Sequence, residues 1–161
     1  MSDIEQGPGG IVVEMRCPAE TSVLPTIRHF VVCASAHMGF GPDDVLKIEV
    51  SVDEACTNVV RHAYATADSR NRSGLGLMVR LETCSDCLKV TVVDFGIGST
   101  GEEYAGVPDL NAYAERENPR GLGTFIMGRF MDEVVFRFPS PHGTEVTLVK
   151  KVQEHAPRQP K

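Results

Sequence analysis

Apolar residues recur with two different periods along this chain. Between residues 22 and 38, Val23, Leu24, Ile27, Phe30, Val31 and Ala34 fall three or four apart, which predicts an amphipathic helix. Pro25 is compatible with that helix because it falls in the first turn, where its missing N–H costs nothing. Gly39-Phe40-Gly41-Pro42 stops the helix. Asp43 and Asp44 then open a second one, reaching about residue 65, with Val45, Ile48, Val52, Cys56 and Val59 as its apolar stripe. Further on the period shortens to two. Alternating runs predict strands over 75–83 and 88–94, and again over 133–138 and 144–149; residues 11–16 read as a first strand. Gly121 opens a short third helix through Phe130.

The order is strand, helix, helix, strand, strand, helix, strand, strand. Strands joined by short turns pair antiparallel, and helices of one-sided apolarity must cover a sheet face. The chain is therefore expected to be one α+β domain over residues 1–161. Its architecture is a two-layer sandwich with a mixed, mostly antiparallel sheet and helices on one face, not a doubly wound sheet. Residues 1–9 and 153–161 are polar and expected to be flexible. Residues 96–120 carry glycine, proline and charge with little periodicity, and a loop of that length points to a functional segment, read as a lid over 99–120.

Composition narrows the classes. An apolar fraction of 42% is too high for a disordered chain. No run approaches a membrane span, and the N-terminus does not read as a secretory signal. The net charge of −6 argues against a nucleic-acid surface and is compatible with a protein partner or a Mg²⁺-masked nucleotide. Five scattered cysteines do not form a disulfide framework, so cytoplasmic thiols are expected. Cys84-Ser85-Asp86-Cys87 has the CxxC spacing. It lacks a second pair for a zinc site and the strand-to-helix context of a redox motif, so it reads as a two-residue hairpin turn with its cysteines facing across it.

Three short patterns carry chemistry. Glu54 and Asn58 are four apart on the second helix, off its apolar stripe, so a base and an oxygen ligand project together; the same spacing also suits a solvated face. Asp94-Phe95-Gly96-Ile97-Gly98 follows a strand. Its aspartate can accept a hydrogen bond from an exocyclic amine and its glycines let backbone approach a ligand, although a plain strand-ending turn uses the same residues. Gly121-Leu122-Gly123-Thr124 turns into a helix, leaving N–H groups free for an anion, and Arg120 can add a cationic fork. Neither a Walker A sequence nor a dinucleotide fingerprint is present.

The ordered set Glu54-x-x-x-Asn58, Asp94-x-Gly96-x-Gly98, Gly121-x-Gly123 and Gly143-Thr144 resembles the Bergerat ATP-binding fold of DNA gyrase, heat-shock chaperones, histidine kinases and mismatch-repair ATPases. Asp53-Glu54-Ala55-Cys56-Thr57-Asn58, Gly121-Leu122-Gly123-Thr124-Phe125-Ile126-Met127 and Phe130-Met131-Asp132-Glu133-Val134 look most like the bacterial anti-sigma-factor serine kinases, and the likeness extends over about residues 23–149. The resemblance implies ATP and Mg²⁺ as cofactors. It implies Glu54 as catalytic base, Asn58 as Mg²⁺ ligand, Asp94 as the adenine-reading carboxylate and Thr144 as its support through water. Gly121 and Gly123 would form the turn around the phosphates, with Gly96, Gly98, Arg120, Leu122 and Thr124 completing the nucleotide site. Arg28 falls where the family often places a partner-contacting arginine; a solvent-facing helix residue is the alternative. The implied substrate is a serine on an anti-anti-sigma-like protein, with a sigma factor as a further partner and a homodimer as the assembly. An ATP-gated binding module without phosphoryl transfer is the main rival. A cycling ATPase and a detached histidine-kinase domain fit less well.

Overall fold

The computed structural model describes residues 10–66, 76–95, 122–137 and 143–152. Its elements follow the expected order: β1 (Val12–Pro18), α1 (Leu24–His37), α2 (Pro42–Thr66), β2 (Gly76–Thr83), β3 (Cys87–Asp94), α3 (Leu122–Phe130), β4 (Glu133–Arg137) and β5 (Thr144–Lys151). The five strands lie in the order β1-β2-β3-β5-β4, and each of the four pairings is antiparallel. The termini expected to be flexible and the lid over 99–120 lie outside the described residues.

The alternation read from sequence decides which sheet face is covered. Leu77, Val79 and Leu81 of β2, Leu88, Val90 and Val92 of β3, and Val146 and Leu148 of β5 are buried and share one core with Ile27 and Val31 of α1 and Ile48, Val52, Cys56 and Val59 of α2. The opposite face carries Arg80, Glu82, Lys89, Arg137 and Glu145, which pair laterally: Lys89 to Glu82 at 3.0 Å, Arg80 to Glu82 at 3.1 Å and Arg137 to Glu145 at 3.3 Å. Apolar inside and charged outside on successive residues is what a half-covered antiparallel sheet requires.

Local signals explain the helix ends. A 3-10 turn over Thr21–Val23 leads into α1, which begins two residues later than the apolar period alone implies, and Pro25 sits in the first turn as expected. At the other end Gly39 takes a φ of +86°, its N–H donating to the Ala36 carbonyl at 3.0 Å while the N–H of buried Phe40 reaches Ser35 at 3.3 Å. That is a Schellman stop with its apolar anchor. Two serines on buried helix faces satisfy themselves locally: Ser35 and Ser51 each donate to the carbonyl four residues back, at 2.7 Å.

Strand β5 extends beyond the expected end at residue 149. Lys150 follows Val146 and Leu148 onto the buried side, where its Nζ donates to the Phe130 carbonyl at 3.0 Å and stands 3.6 Å from Asp44 and 3.7 Å from Asp132. A lysine there reads as a strand terminator, but three oxygen partners compensate its burial.

Candidate nucleotide and phosphoryl-transfer site

The long α2 lies across β3 and β5 and also packs against α3, so its middle turns face the place where these elements meet. Glu54 and Asn58 occupy those turns, both half-buried, between the apolar residues Ala55, Cys56 and Val59 on one side and solvent on the other. The helix fixes their register, and the core beneath fixes the helix. Burial pushes the Cys56 thiol far up, with the Asp53 charge adding to it, which leaves that sulfur a packing group.

The N-terminus of α3 comes down directly on Glu54. A Cβ placed on Gly123 would stand 2.5 Å from Glu54 Oε2 and 3.3 Å from its Cδ. Any larger residue would displace the carboxylate, so glycine here allows close approach of the α3 backbone to the Glu54 side chain. The first N–H groups of a helix lack intrahelical partners and lie at the positive end of the helix dipole. Leu122 is exposed at this end and Thr124 is buried beneath it. Met127, in the middle of α3, fills the core.

Asp94 ends β3 on the same buried side as Leu88, Val90 and Val92, and its cross-strand partner is Thr144, the first residue of β5. Both are buried polar residues beside the aliphatic side chains of Val92 and Val146. The chain can enter β5 this way because Gly143 takes a φ of +116°, and a Cβ there would lie 2.5 Å from the Asp94 carbonyl oxygen. The glycine preceding the threonine is thus a geometric condition for placing Asp94 and Thr144 side by side.

Arg28 on α1, its side chain still 43% exposed, also reaches α2: its Nε lies 3.1 Å from Asp53 Oδ1, a charge contact whose angle falls short of an aligned hydrogen bond. The pair links α1 to the residue preceding Glu54. Sequence reasoning did not anticipate this pairing, although Arg28 and Asp53 both lie on half-buried helix faces.

The structure therefore brings together Glu54, Gly123 and the α3 N-terminus, and separately Asp94 with Thr144, on elements that share one core. Gly96, Gly98, Arg120 and Gly121 lie outside the described residues. The chemistry of the described set fits a magnesium nucleotide: an amide oxygen and a carboxylate on one rigid helix, a helix N-terminus for phosphate, and a strand-end carboxylate for an exocyclic amine. Among the described residues there is no cluster of three or more His, Cys, Asp or Glu side chains able to hold a metal ion.

Sheet, helix layer and the Glu54–Gly123 contact define a nucleotide-binding domain of the histidine-kinase-like type. The chain belongs to the histidine kinase-like ATPase domain family, whose pattern matches residues 17–150. Among proteins, it is 31% identical over 143 residues to the serine-protein kinase RsbW of Bacillus velezensis, covering 86% of this chain and 84% of that one. It is 29% identical over 144 residues to RsbW of Bacillus mycoides, covering 88% and 85%. Among solved structures, the SiaB–SiaC complex of Pseudomonas aeruginosa matches with a TM-score of 0.67 at 14% identity, over 85% of this chain and 88% of that one. The RsbU and RsbW domains of a Mycobacterium tuberculosis protein match with a TM-score of 0.56 at 14% identity, over 88% of this chain and 32% of that one. At that identity the structural likeness speaks for the fold.

Proposed function

We propose that this protein is an ATP-dependent protein-serine kinase of the anti-sigma, partner-switching kind, transferring the γ-phosphoryl group of ATP to a serine of an anti-anti-sigma-like protein. The observation that carries the reading is the seating of Glu54 against Gly123: a carboxylate held on a helix at the mouth of a phosphate-binding helix N-terminus. Phosphoryl transfer asks the protein mainly for positioning and charge stabilisation. Glu54 accepts the proton of the serine hydroxyl as its oxygen bonds to phosphorus and ADP leaves. Asn58, one turn further along the same face, is the residue that would hold Mg²⁺, which when bound neutralises phosphate charge. The α3 N-terminus with Leu122, Gly123 and Thr124 receives the phosphates, joined in this proposal by Gly121 and Arg120. Asp94 reads the adenine amine, Thr144 supports it, and Gly96 and Gly98 line the same end.

Arg28, oriented by Asp53, is the proposed partner-contacting residue, and a sigma factor is a second proposed partner. A homodimer is the proposed assembly. Its support is the edge strand β1, where Val12 and Val13, with Ile11 just before them, are exposed apolar residues 52%, 42% and 63% accessible. A cytoplasmic setting is supported by five free thiols; among the described residues, no helix is long and apolar enough to cross a membrane. Incubation of the purified chain with labelled ATP, Mg²⁺ and an anti-anti-sigma-like protein should yield phosphoserine on that protein. Nucleotide-dependent complex formation with no phosphoserine would instead identify an ATP-gated binding module.

A further inference from the structure

The Cys84–Cys87 turn takes no part in the site described above. It closes the β2–β3 hairpin at the end of β3 opposite Asp94, seven residues away, or about 23 Å at the usual strand rise. The turn has the expected two-residue form. The Cys84 N–H donates to the Cys87 carbonyl at 2.8 Å, and the register that pairs Thr83 with Leu88 makes Cys84 and Cys87 the next rung.

Side-chain parity puts both sulfurs on the charged face of the sheet, opposite the helices, since Cys84 follows Glu82 by two and Cys87 precedes Lys89 by two. Cys84 is exposed and Cys87 half-buried, and both are free thiols. They interact: burial, a thiol–thiol hydrogen bond from Cys84 and the charges of Cys84 and Asp86 push the Cys87 thiol up to about 11, while Lys151 pulls the other way. A hydrogen-bonded antiparallel rung holds its Cα atoms about 5.5 Å apart, inside the roughly 4.4–6.8 Å range that disulfides span.

We propose that Cys84 and Cys87 form a thiol–disulfide modification site, closing reversibly across the hairpin tip in exchange with a low-molecular-weight disulfide. The exposed Cys84 thiolate attacks one sulfur of the small disulfide and expels a small thiolate. The Cys87 thiolate then attacks the Cys84 sulfur of the mixed disulfide and expels the second. Two protein thiols lose two electrons and two protons, and the small disulfide becomes two thiols.

The resulting bond is suited to a switch rather than a staple. Directly paired residues at a hydrogen-bonded rung have Cβ atoms farther apart than a relaxed disulfide prefers, and a strained, exposed bond is easily reduced. The other cysteines lack this chemistry. Cys17 and Cys56 are raised by burial, and Cys33 is exposed with His29 Nε2 at 3.7 Å as its neighbour instead of a thiol. Cys33, exposed and without a thiol neighbour among the described residues, is therefore the internal control for glutathione uptake.

The test equilibrates the full chain with defined ratios of reduced and oxidised glutathione, traps remaining thiols by alkylation and maps the peptides by mass. The peptide spanning residues 84–87 should lose two hydrogens and carry no glutathione at ratios where Cys33 becomes glutathionylated. In Cys84→Ser and Cys87→Ser that peptide should carry one glutathione instead. Wild-type protein in which residues 84–87 keep two free thiols, or accumulate glutathione without closing, while Cys33 is fully modified overturns the proposal.

Discussion

Gly123 and Glu54 are in contact across two helices, so closely that a Cβ on Gly123 would sit 2.5 Å from the Glu54 carboxylate oxygen. The contact separates stability from chemistry. Alanine is the better helix former by about 1 kcal/mol, and the atom it would strike is the free end of a flexible side chain. Gly123→Ala should therefore fold with unchanged or slightly raised stability in a denaturant titration. Phosphoryl transfer should fall on the order of 10- to 100-fold because the carboxylate is pushed aside. Transfer at the wild-type rate in a folded Gly123→Ala protein would show that the position of Glu54 does not matter.

Asp94 and Thr144 open a second line of test. Asn in place of Asp94 turns a pure acceptor into a mixed donor and acceptor and removes the charge. A charge-assisted hydrogen bond contributes roughly 1.5–3 kcal/mol, so ATP affinity by calorimetry should drop about 10- to 100-fold. Gly143→Ala should weaken nucleotide binding by a different route. It places a side chain on a residue with φ +116°, against the Asp94 backbone, and should also cost roughly 1–3 kcal/mol of stability. Equal ATP affinity in wild type and Asp94→Asn would remove Asp94 from the adenine site.

The buried cation Lys150 predicts a stability effect far from the nucleotide. It joins the C-terminal carbonyl of α3 to Asp44 in the first turn of α2 and to Asp132, whose carboxylate also accepts the Lys151 N–H at 2.7 Å. Lys150→Met should destabilise the fold by about 2–4 kcal/mol, somewhat below a fully buried pair because Asp132 is partly exposed.

The same cluster sets a pH dependence. Burial acts to raise the Asp44 carboxyl, but its hydrogen bond to Lys47 and the charges of Lys150 and Lys47 outweigh that and hold it below the ordinary value of 3.8. Its contribution to stability is thus complete above that value and is lost as pH falls through the lower folded-state value. Asp44→Asn should flatten that part of an acid denaturation profile measured below about pH 4. An unchanged profile would mean that the charge cluster contributes nothing to folding.

Much of this arrangement was legible in the sequence because its signals are periodic. The stripe Ile48, Val52, Cys56 and Val59 placed Glu54 and Asn58 on a common flank of α2, and alternation in β3 carried Asp94 to the buried side. The Ser85-Asp86 turn followed from two strand patterns separated by a CxxC spacing. What escaped was long-range and polar. Lys150 looks like the end of a strand until Asp44, Asp132 and the Phe130 carbonyl surround it. Its one signal was the parity it shares with Val146 and Leu148. Likewise Phe130-Met131-Asp132 carried family resemblance without a reason, and the structure supplies one: a carbonyl and a carboxylate for Lys150 with buried Met131 between them. The Arg28–Asp53 contact joins two helices whose facing turns no local pattern specifies.

The most direct measurement is Glu54→Gln, assayed in parallel for nucleotide affinity and for phosphoserine formed on an anti-anti-sigma-like protein. Glutamine keeps the size and hydrogen-bonding capacity of the side chain and removes the base. ATP affinity should stay within about twofold, because the proposed phosphate, metal and adenine contacts come from the α3 N-terminus, Asn58 and Asp94. Transfer should fall on the order of 10²- to 10⁴-fold, the usual worth of a general base. Phosphoserine formed by Glu54→Gln as fast as by wild type would contradict the assignment of Glu54 as the base and the mechanism built on it.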